Sequence, residues 1–326
     1  MKEQLLKAYA VRHRDKNVVR RSRSGGIFVA VSDYVIEKLD GVVYGAAFGE
    51  NLEVIHIRAE DRKTRDLMCG SKYVQSRLGS TFVNVKNDLK SGRTVLFTGT
   101  SCQVMGLKNF LGSSYDYSHL ILLDIVCHGV PSPLIYHDYI AYWEQKKGKK
   151  CVSIDFRNKD RYGWKEHVET LTFSNGEQVD SREYTKLFYS HKIIRPSCFS
   201  CPYKNTHHPG DITIAYCWGV ENVAPQFDDD KGCSLVLINS PKGETMLNDI
   251  NNDIERVEID LQKCMQPPLI APFPIPNEYD KFWRDYHTNG LEYVIKKYID
   301  NPKRQARVDL VYRIKKKVLR LLSARR

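Results

Sequence analysis

The sequence has no run of apolar residues long enough to span a membrane, and its first seventeen residues contain no apolar segment of signal-peptide length. It also has no internal repeat, no low-complexity segment and no Cys-x-x-Cys-x-x-Cys run. We therefore expect a cytoplasmic protein that neither spans a membrane nor is exported. Because the ferredoxin-type cysteine run is missing, a relay of several iron–sulfur clusters within the chain is not expected.

Nine cysteines are present among 326 residues, and this odd number without an export signal argues against a disulfide framework. Thiolate chemistry or metal ligation is the better expectation. With 42% hydrophobic and 27% charged residues, the composition is that of an ordinary globular protein, long enough for one large domain or two small ones.

The net charge of +11 is concentrated at one end of the chain. Residues 302–326 contain ten Lys or Arg and one Asp, so they contribute +9 and leave +2 for the rest, and no nucleic-acid partner is expected. The apolar residues of this tail recur at three- and four-residue steps, which predicts a basic amphipathic helix. Such a helix either packs on the protein's own core or, as we expect, contacts the anionic inner face of the membrane.

Residues 95–127 give the clearest structural pattern. The segments "RTVLFTGT", "SCQVMGLKNFLG" and "HLILLDIVC" predict a strand, a helix and a second strand, which together form a βαβ unit. Cys102 follows the first strand and Cys127 ends the second. Because ligands of open parallel sheets bind beyond the carboxyl ends of the strands, both cysteines are expected at one crevice.

We predict an α/β fold of mixed α+β elements in two lobes, with the cofactor crevice at the strand C-termini. A polar, charged passage after residue 60 is interpreted as the junction between the lobes. The predicted divisions are an N-terminal lobe (1–68), a domain with the cysteine cluster (69–258) and an extension with the basic helix (259–326).

Cys198 and Cys201 form a Cys-x-x-Cys pair in "RPSCFSCPYKNTHHPGD". Such a pair is half of a zinc site, a redox dithiol, half of an iron–sulfur cluster, or two buried small side chains. A zinc site is disfavoured because His207 and His208 are adjacent and their side chains diverge. A redox dithiol is disfavoured because a proline-rich loop, not a helix, follows the pair.

An iron–sulfur cluster needs four thiolates, and the predicted sheet brings Cys102 and Cys127 to one crevice as the other two. The alternative is that these two are buried small side chains, which free cysteines often are. The spacing alone leaves both interpretations open.

Two further segments have the residue types of a phosphate or cofactor site. In "SRSGGIF", Ser24, Gly25 and Gly26 precede a predicted helix, where free amides attract anions, although this is also the pattern of an ordinary N-cap and turn. In "GSKYVQS", Lys72 and Tyr73 lie in a predicted loop that would by itself be interpreted as a solvated surface loop.

Taken together, "SRSGGIF", "GVVYGAAF", "GSKYVQS", "VLFTGTSCQVMGLKNFL", "DIVCHGVPSP", "FRNKDRYGWK" and "RPSCFSCPYK" resemble the coenzyme F420 hydrogenase/dehydrogenase beta subunit family. The resemblance extends in order from about residue 8 to 255. Members of that family are iron–sulfur flavoproteins that hold FAD and at least one four-iron (4Fe-4S) cluster. Some bacterial relatives are encoded among exopolysaccharide genes.

The resemblance implies an oxidoreductase that passes electrons between a 4Fe-4S cluster, FAD and a small-molecule substrate, in surface-polysaccharide biosynthesis. In such a relay, Lys72 beside the flavin would stabilise the reduced anion, and both Lys72 and His128 are predicted as catalytic residues. His128 is expected either to relay protons or donate a hydrogen bond to a cluster sulfur, or to be a structural histidine before a helix. The implied cluster ligands are Cys102, Cys127, Cys198 and Cys201. The implied flavin contacts are Ser24, Gly25, Gly26, Lys72, Tyr73, Thr98, Gly99 and Thr100.

The sequence departs from the family pattern at three places. It has no ferredoxin-like cysteine segment, which predicts an external ferredoxin or a cluster-bearing subunit as electron partner. Ser101 replaces a usual proline, and Ala215 and Tyr216 stand where Gly and Asp are typical, next to Cys217 as a competing ligand. The alternative hypotheses are an accessory protein of polysaccharide biosynthesis that keeps only the fold, and a zinc-stabilised interaction protein.

Overall fold

A computed structural model describes residues 7–300. The amphipathic helix predicted in the tail, and with it the predicted membrane contact, lies outside these residues. In the described part of the chain two β-sheets, of eight and three strands, are packed with helices, which confirms the α/β prediction. No helix between residues 7 and 300 is both long and apolar enough to cross a bilayer.

The strands and helices of residues 7–300 are numbered in chain order. The strands are β1 (Lys7–His13), β2 (Val42–Phe48), β3 (Val54–Ala59), β4 (Val95–Thr100), β5 (Leu120–Ile125), β6 (Cys151–Asp155), β7 (Glu169–Phe173), β8 (Gln178–Ser181), β9 (Ile212–Tyr216), β10 (Ser234–Ile238) and β11 (Ile254–Glu258). The helices are α1 (Lys16–Arg21), α2 (Ile27–Lys38), α3 (Arg62–Asp66), α4 (Thr81–Lys90), α5 (Ser101–Leu111), α6 (Pro133–Lys147), α7 (Lys159–Tyr162), α8 (Glu183–Tyr189), α9 (Val220–Val223), α10 (Pro241–Asp249) and α11 (Tyr279–Tyr298).

The larger sheet has the strand order β11-β1-β10-β9-β5-β4-β2-β3. Its centre is parallel, because β4 pairs with β2 and β5, and β5 pairs with β9. β4, α5 and β5 form the predicted βαβ unit, with Val95 opposite Leu120 and Thr100 opposite Ile125. The apolar residues 95–97 of β4 and 120–123 of β5 are buried under helices, as is typical of a parallel sheet.

Strand β1 was not predicted from the sequence. It lies between β10 and β11 and pairs antiparallel with both, with Lys7 opposite Ile238 and His13 opposite Ile254. Strands β1 to β3 therefore share one sheet with β4, β5 and β9 to β11, and this sheet crosses the domain boundary predicted at residue 68.

The smaller sheet, β6-β7-β8, covers a second core that is rich in aromatic rings. Its strands β7 and β8 form a hairpin around the Asn-Gly turn at residues 175–176. Rings from α6 and α8 pack against the sheet, with Tyr139 and Tyr184 at 5.3 Å between centroids. The fully buried Glu169 carboxylate accepts hydrogen bonds from the hydroxyls of Tyr139 and Thr185, so it fastens both helices to β7.

Candidate functional site

A cavity of about 810 Å³ lies beyond the carboxyl ends of β4, β5 and β9. This is the position expected for the ligand site of an open α/β sheet. Most of the predicted site residues line the cavity: Ser24, Gly26, Lys72, Tyr73, Thr98, Gly99, Thr100, Cys127 and His128. Gly25, Cys102, Cys198 and Cys201 do not.

The Gly-Gly turn positions the N-terminus of α2 at the cavity. Gly26 adopts the left-handed backbone conformation (φ 89°), and no side chain caps the first turn of the helix. Gly26, Ile27 and Phe28 at the N-terminus of this twelve-residue helix line the cavity, a position at which a helix attracts an anionic group. Gly25 has a different role, since a Cβ built at this position would lie 2.2 Å from the carbonyl oxygen of Val11.

The end of β4 forms a second wall. The hydroxyl of Thr98 donates to the carbonyl of Tyr44 at 2.9 Å, and Thr100 caps α5 through a reciprocal capping box with Gln103. The strand end is therefore fixed by its own side chains. His56 Nε2 lies 3.0 Å from the carbonyl oxygen of Thr98, and burial lowers the pKa of this imidazole to about 4.

Lys72 lines the cavity, but its ammonium is already bonded. Nζ donates to the carbonyl oxygens of Met68 at 2.9 Å, Cys69 at 3.0 Å and Gly70 at 3.1 Å. These bonds use all three ammonium hydrogens. Lys72 can therefore attract an anion in the cavity by its charge, but it has no hydrogen left to donate to a ligand. Burial lowers the pKa of Lys72 to about 8.

The four predicted cysteine ligands come together from three segments of the chain. Cys102 is exposed at the start of α5, Cys127 follows β5, and Cys198 and Cys201 lie at the 3₁₀ turn Pro196–Ser200. Burial, with the neighbouring thiols of Cys198 and Cys102, raises the pKa of Cys127 to about 12. The pKa of Cys201 is raised by burial and then by Cys102 and Cys198.

Four cysteine thiols are the donor set that a four-iron cluster requires. Among residues 7–300, no three Cys, His, Asp or Glu side chains are arranged to hold one metal ion. His208, one of the two adjacent histidines whose spacing disfavours a zinc site, is held by Asp124 Oδ2 at 3.0 Å and Ser101 Oγ at 3.1 Å from its Nδ1.

His128 pairs with a histidine that the sequence did not single out. Nε2 of His128 lies 2.8 Å from Nε2 of His191, and both rings line the cavity. One hydrogen must lie between the two nitrogens, so one ring donates and the other accepts. Burial lowers the pKa of His128 to about 3 and that of His191 to about 4. His191 has φ 60°, a backbone conformation that costs free energy in a non-glycine residue.

An aromatic wall was also not predicted. The ring of Tyr216 stacks on Trp218 at 5.3 Å, and the guanidinium of Arg157 lies 4.4 Å from the Tyr216 centroid. The hydroxyl of Tyr216 lies 2.7 Å from that of Ser71, which joins the end of β9 to the loop that contains Lys72. The departure from the family pattern at residue 216 therefore builds one side of the cavity.

Cys217, the competing ligand, lies in a separate buried cluster. Its side chain contacts those of Cys233 and Cys264, and the hydrogen bond with Cys233 raises the pKa of Cys217. None of these three cysteines lines the cavity.

Three comparisons with known proteins complete the description. A sequence profile for the C terminus of the beta subunit of coenzyme F420 hydrogenase/dehydrogenase matches residues 92–262, more than half of the chain. A search of curated proteins finds no match. Among solved structures, the fold is similar to a chain from the xenon-derivatised F420-reducing NiFe hydrogenase complex of Methanosarcina barkeri. The TM-score is 0.56 at 16% identity, over 87% of this chain and 93% of that chain.

Proposed function

This chain belongs to the coenzyme F420 hydrogenase/dehydrogenase beta subunit family, and from that membership and the geometry of the cavity we propose that it is an iron–sulfur flavoprotein oxidoreductase. Cys102, Cys127, Cys198 and Cys201 hold a 4Fe-4S cluster, and the cavity holds FAD. The substrate is a small molecule, and we place the reaction in surface-polysaccharide biosynthesis. The observation that carries the proposal is the convergence of four thiols from three segments beside a cavity at the carboxyl ends of parallel strands.

The residues around the cavity have separate roles in this proposal. The free amides of α2 bind the anionic pyrophosphate of FAD, and Lys72 adds positive charge beside the ring. The flavin supplies the exchange between two-electron and one-electron transfer. The His128–His191 pair holds a proton at Nε2, and the Tyr216 wall separates the cavity from the buried cysteine cluster.

The metal and flavin content of anaerobically purified or reconstituted protein tests this proposal. We expect about four irons, four sulfides and one FAD per chain, with flavin bands and a broad sulfur-to-iron shoulder in the visible spectrum. A colourless protein with one zinc would contradict the proposal. A colourless protein without metal would contradict it as well and would favour the accessory-protein hypothesis.

We also predict that an external one-electron donor reduces the protein faster than NADH does. Of the four cysteine ligands only Cys102 is exposed, so a cluster at this site would be reached by a partner from that side. Stopped-flow reduction under anaerobic conditions with reduced ferredoxin and with NADH at equal concentration measures the two rates. We expect the ferredoxin rate to be about tenfold higher or more. An equal or faster rate with NADH would contradict the prediction.

A further inference from the structure

Lys204 is a buried lysine between the two segments that contain Cys127 and Cys201. Only 4% of the residue is exposed. Its Nζ donates to the carbonyl oxygen of His128 at 3.0 Å, and its backbone amide donates to the carbonyl oxygen of Cys201 at 3.4 Å. The ring of Phe273 covers the ammonium at 4.4 Å from its centroid, so water has little access to the charge.

This ammonium has no carboxylate partner. None of the ion pairs found within residues 7–300 includes Lys204, although only 4% of the residue is exposed. A buried charge without a counter-charge is costly, so such a group is normally retained where an anion faces it. Lys204 follows Cys201 by three residues, and its Nζ reaches the carbonyl oxygen of His128, the residue after Cys127. The groups of these two segments that carry negative charge when they bind iron are the cysteine sulfurs.

Two of the thiols receive backbone hydrogen-bond donors. The amide of Gly129 favours the thiolate of Cys127, and the amide of Tyr203 favours that of Cys201. Hydrogen bonds to sulfur and nearby charge are two of the means by which a protein sets the reduction potential of an iron–sulfur cluster.

We propose that Lys204 sets the reduction potential of the cluster held by the four cysteines and makes it less negative. This inference rests on the proposed function. Reduction adds one electron to an already anionic cluster and neither makes nor breaks a bond. A cation held close by, in a site from which water is excluded, stabilises the added negative charge. Lys204 therefore stabilises the reduced cluster more than the oxidised cluster. Lys204 acts through the cluster and does not contact the substrate.

The test compares three variants after anaerobic reconstitution: Lys204→Met, Lys204→Arg and, as the control, Lys149→Met. Methionine keeps the length and the apolar stem but removes the charge, and arginine keeps the charge. Lys149 is exposed in the loop before β6, so its replacement removes the same charge without a buried contact. Each protein is reduced stepwise with dithionite, and the reduced fraction is followed by electron paramagnetic resonance at controlled potentials.

At the midpoint potential of the wild type, we expect the ratio of reduced to oxidised cluster to fall about tenfold in Lys204→Met, which corresponds to 59 mV for one electron. Lys204→Arg and Lys149→Met should stay close to the wild type. A wild-type midpoint in Lys204→Met would overturn the inference. A midpoint in Lys204→Arg as low as that of Lys204→Met would also overturn it, because charge would then not be the cause.

A second measurement covers the case in which Lys204→Met takes up no iron. Alkylation of the cysteines by iodoacetamide in the iron-free proteins, at one fixed pH, reports how strongly Lys204 stabilises the thiolates. We expect several-fold slower alkylation of Cys198 and Cys201 in the variant. Equal rates would overturn the inference. If the wild type itself takes up no iron, both the proposed function and the role of Lys204 are wrong. If the wild type binds iron and Lys204→Met has the same midpoint potential, only the role of Lys204 is wrong.

Discussion

Cys127→Ser is expected to leave the protein with about a tenth or less of the wild-type iron. Thiolate is the ligand that iron–sulfur clusters require, and a serine hydroxyl stays protonated at neutral pH and binds iron poorly. Cys127 follows β5 and interacts with Cys102 and Cys198, so its replacement removes one of the four thiolates that the cluster needs. Iron and sulfide determination after anaerobic reconstitution, with the visible spectrum, measures the loss. The same result is expected for Cys102→Ser, Cys198→Ser and Cys201→Ser.

The second cysteine cluster supplies the matched controls. Cys233→Ser and Cys264→Ser change buried thiols that contact Cys217 and do not line the cavity. Serine can donate to the carbonyl oxygens of Val11 and Leu261 that these thiols contact, so folding should be retained. Both variants should bind iron like the wild type. Stoichiometric iron in Cys127→Ser would remove that residue from the ligand set, and loss of iron in Cys233→Ser would move the cluster to the other site.

Patterns within one stretch of sequence predicted much of this fold. The βαβ unit was predicted because two apolar runs flank a helix that ends at Gly112, and all of this pattern lies within 33 residues. The β7–β8 hairpin likewise has a local signal, the Asn-Gly turn between its strands. Strand β1 was missed because its partners β10 and β11 lie more than 220 residues away, and seven residues of modest hydropathy carry no sign of that pairing.

Some residues of the site were also predicted from local patterns in the sequence, and others were not. The positions of Cys102 and Cys127 followed from the rule that strand ends meet at one edge of a parallel sheet. Cys198 and Cys201 followed from their spacing. Three features had no local signal, because each depends on a neighbour that is distant in sequence: His191 on His128, Lys204 on the segment after Cys127, and Tyr216 on Ser71. Such contacts are made by the tertiary structure and not by a motif.

Gly25→Ala is expected to destabilise the protein by about 3 kcal/mol or more. The sequence analysis placed this glycine among the flavin contacts, but in the structure it does not line the cavity. A Cβ would lie 2.2 Å from the carbonyl oxygen of Val11 and 2.7 Å from the amide of Ser234, which are backbone atoms of β1 and β10. These atoms cannot move without disturbing the pairing of the two strands, so the added methyl group forces the turn and the sheet apart.

Gly106→Ala in α5 is the matched control for this prediction, since it adds the same methyl group where there is room. Its nearest neighbour outside the helix backbone would be the Phe82 ring at 3.4 Å, and alanine favours the helix by about 1 kcal/mol. Urea unfolding of the iron-free proteins should therefore show a lower midpoint for Gly25→Ala and an equal or higher one for Gly106→Ala. If Gly25→Ala instead keeps wild-type stability and loses only FAD, the glycine acts at the flavin and the packing explanation is wrong. Loss of stability before any flavin is added would show that Gly25 is needed because β1, β10 and the start of α2 approach one another too closely for any side chain.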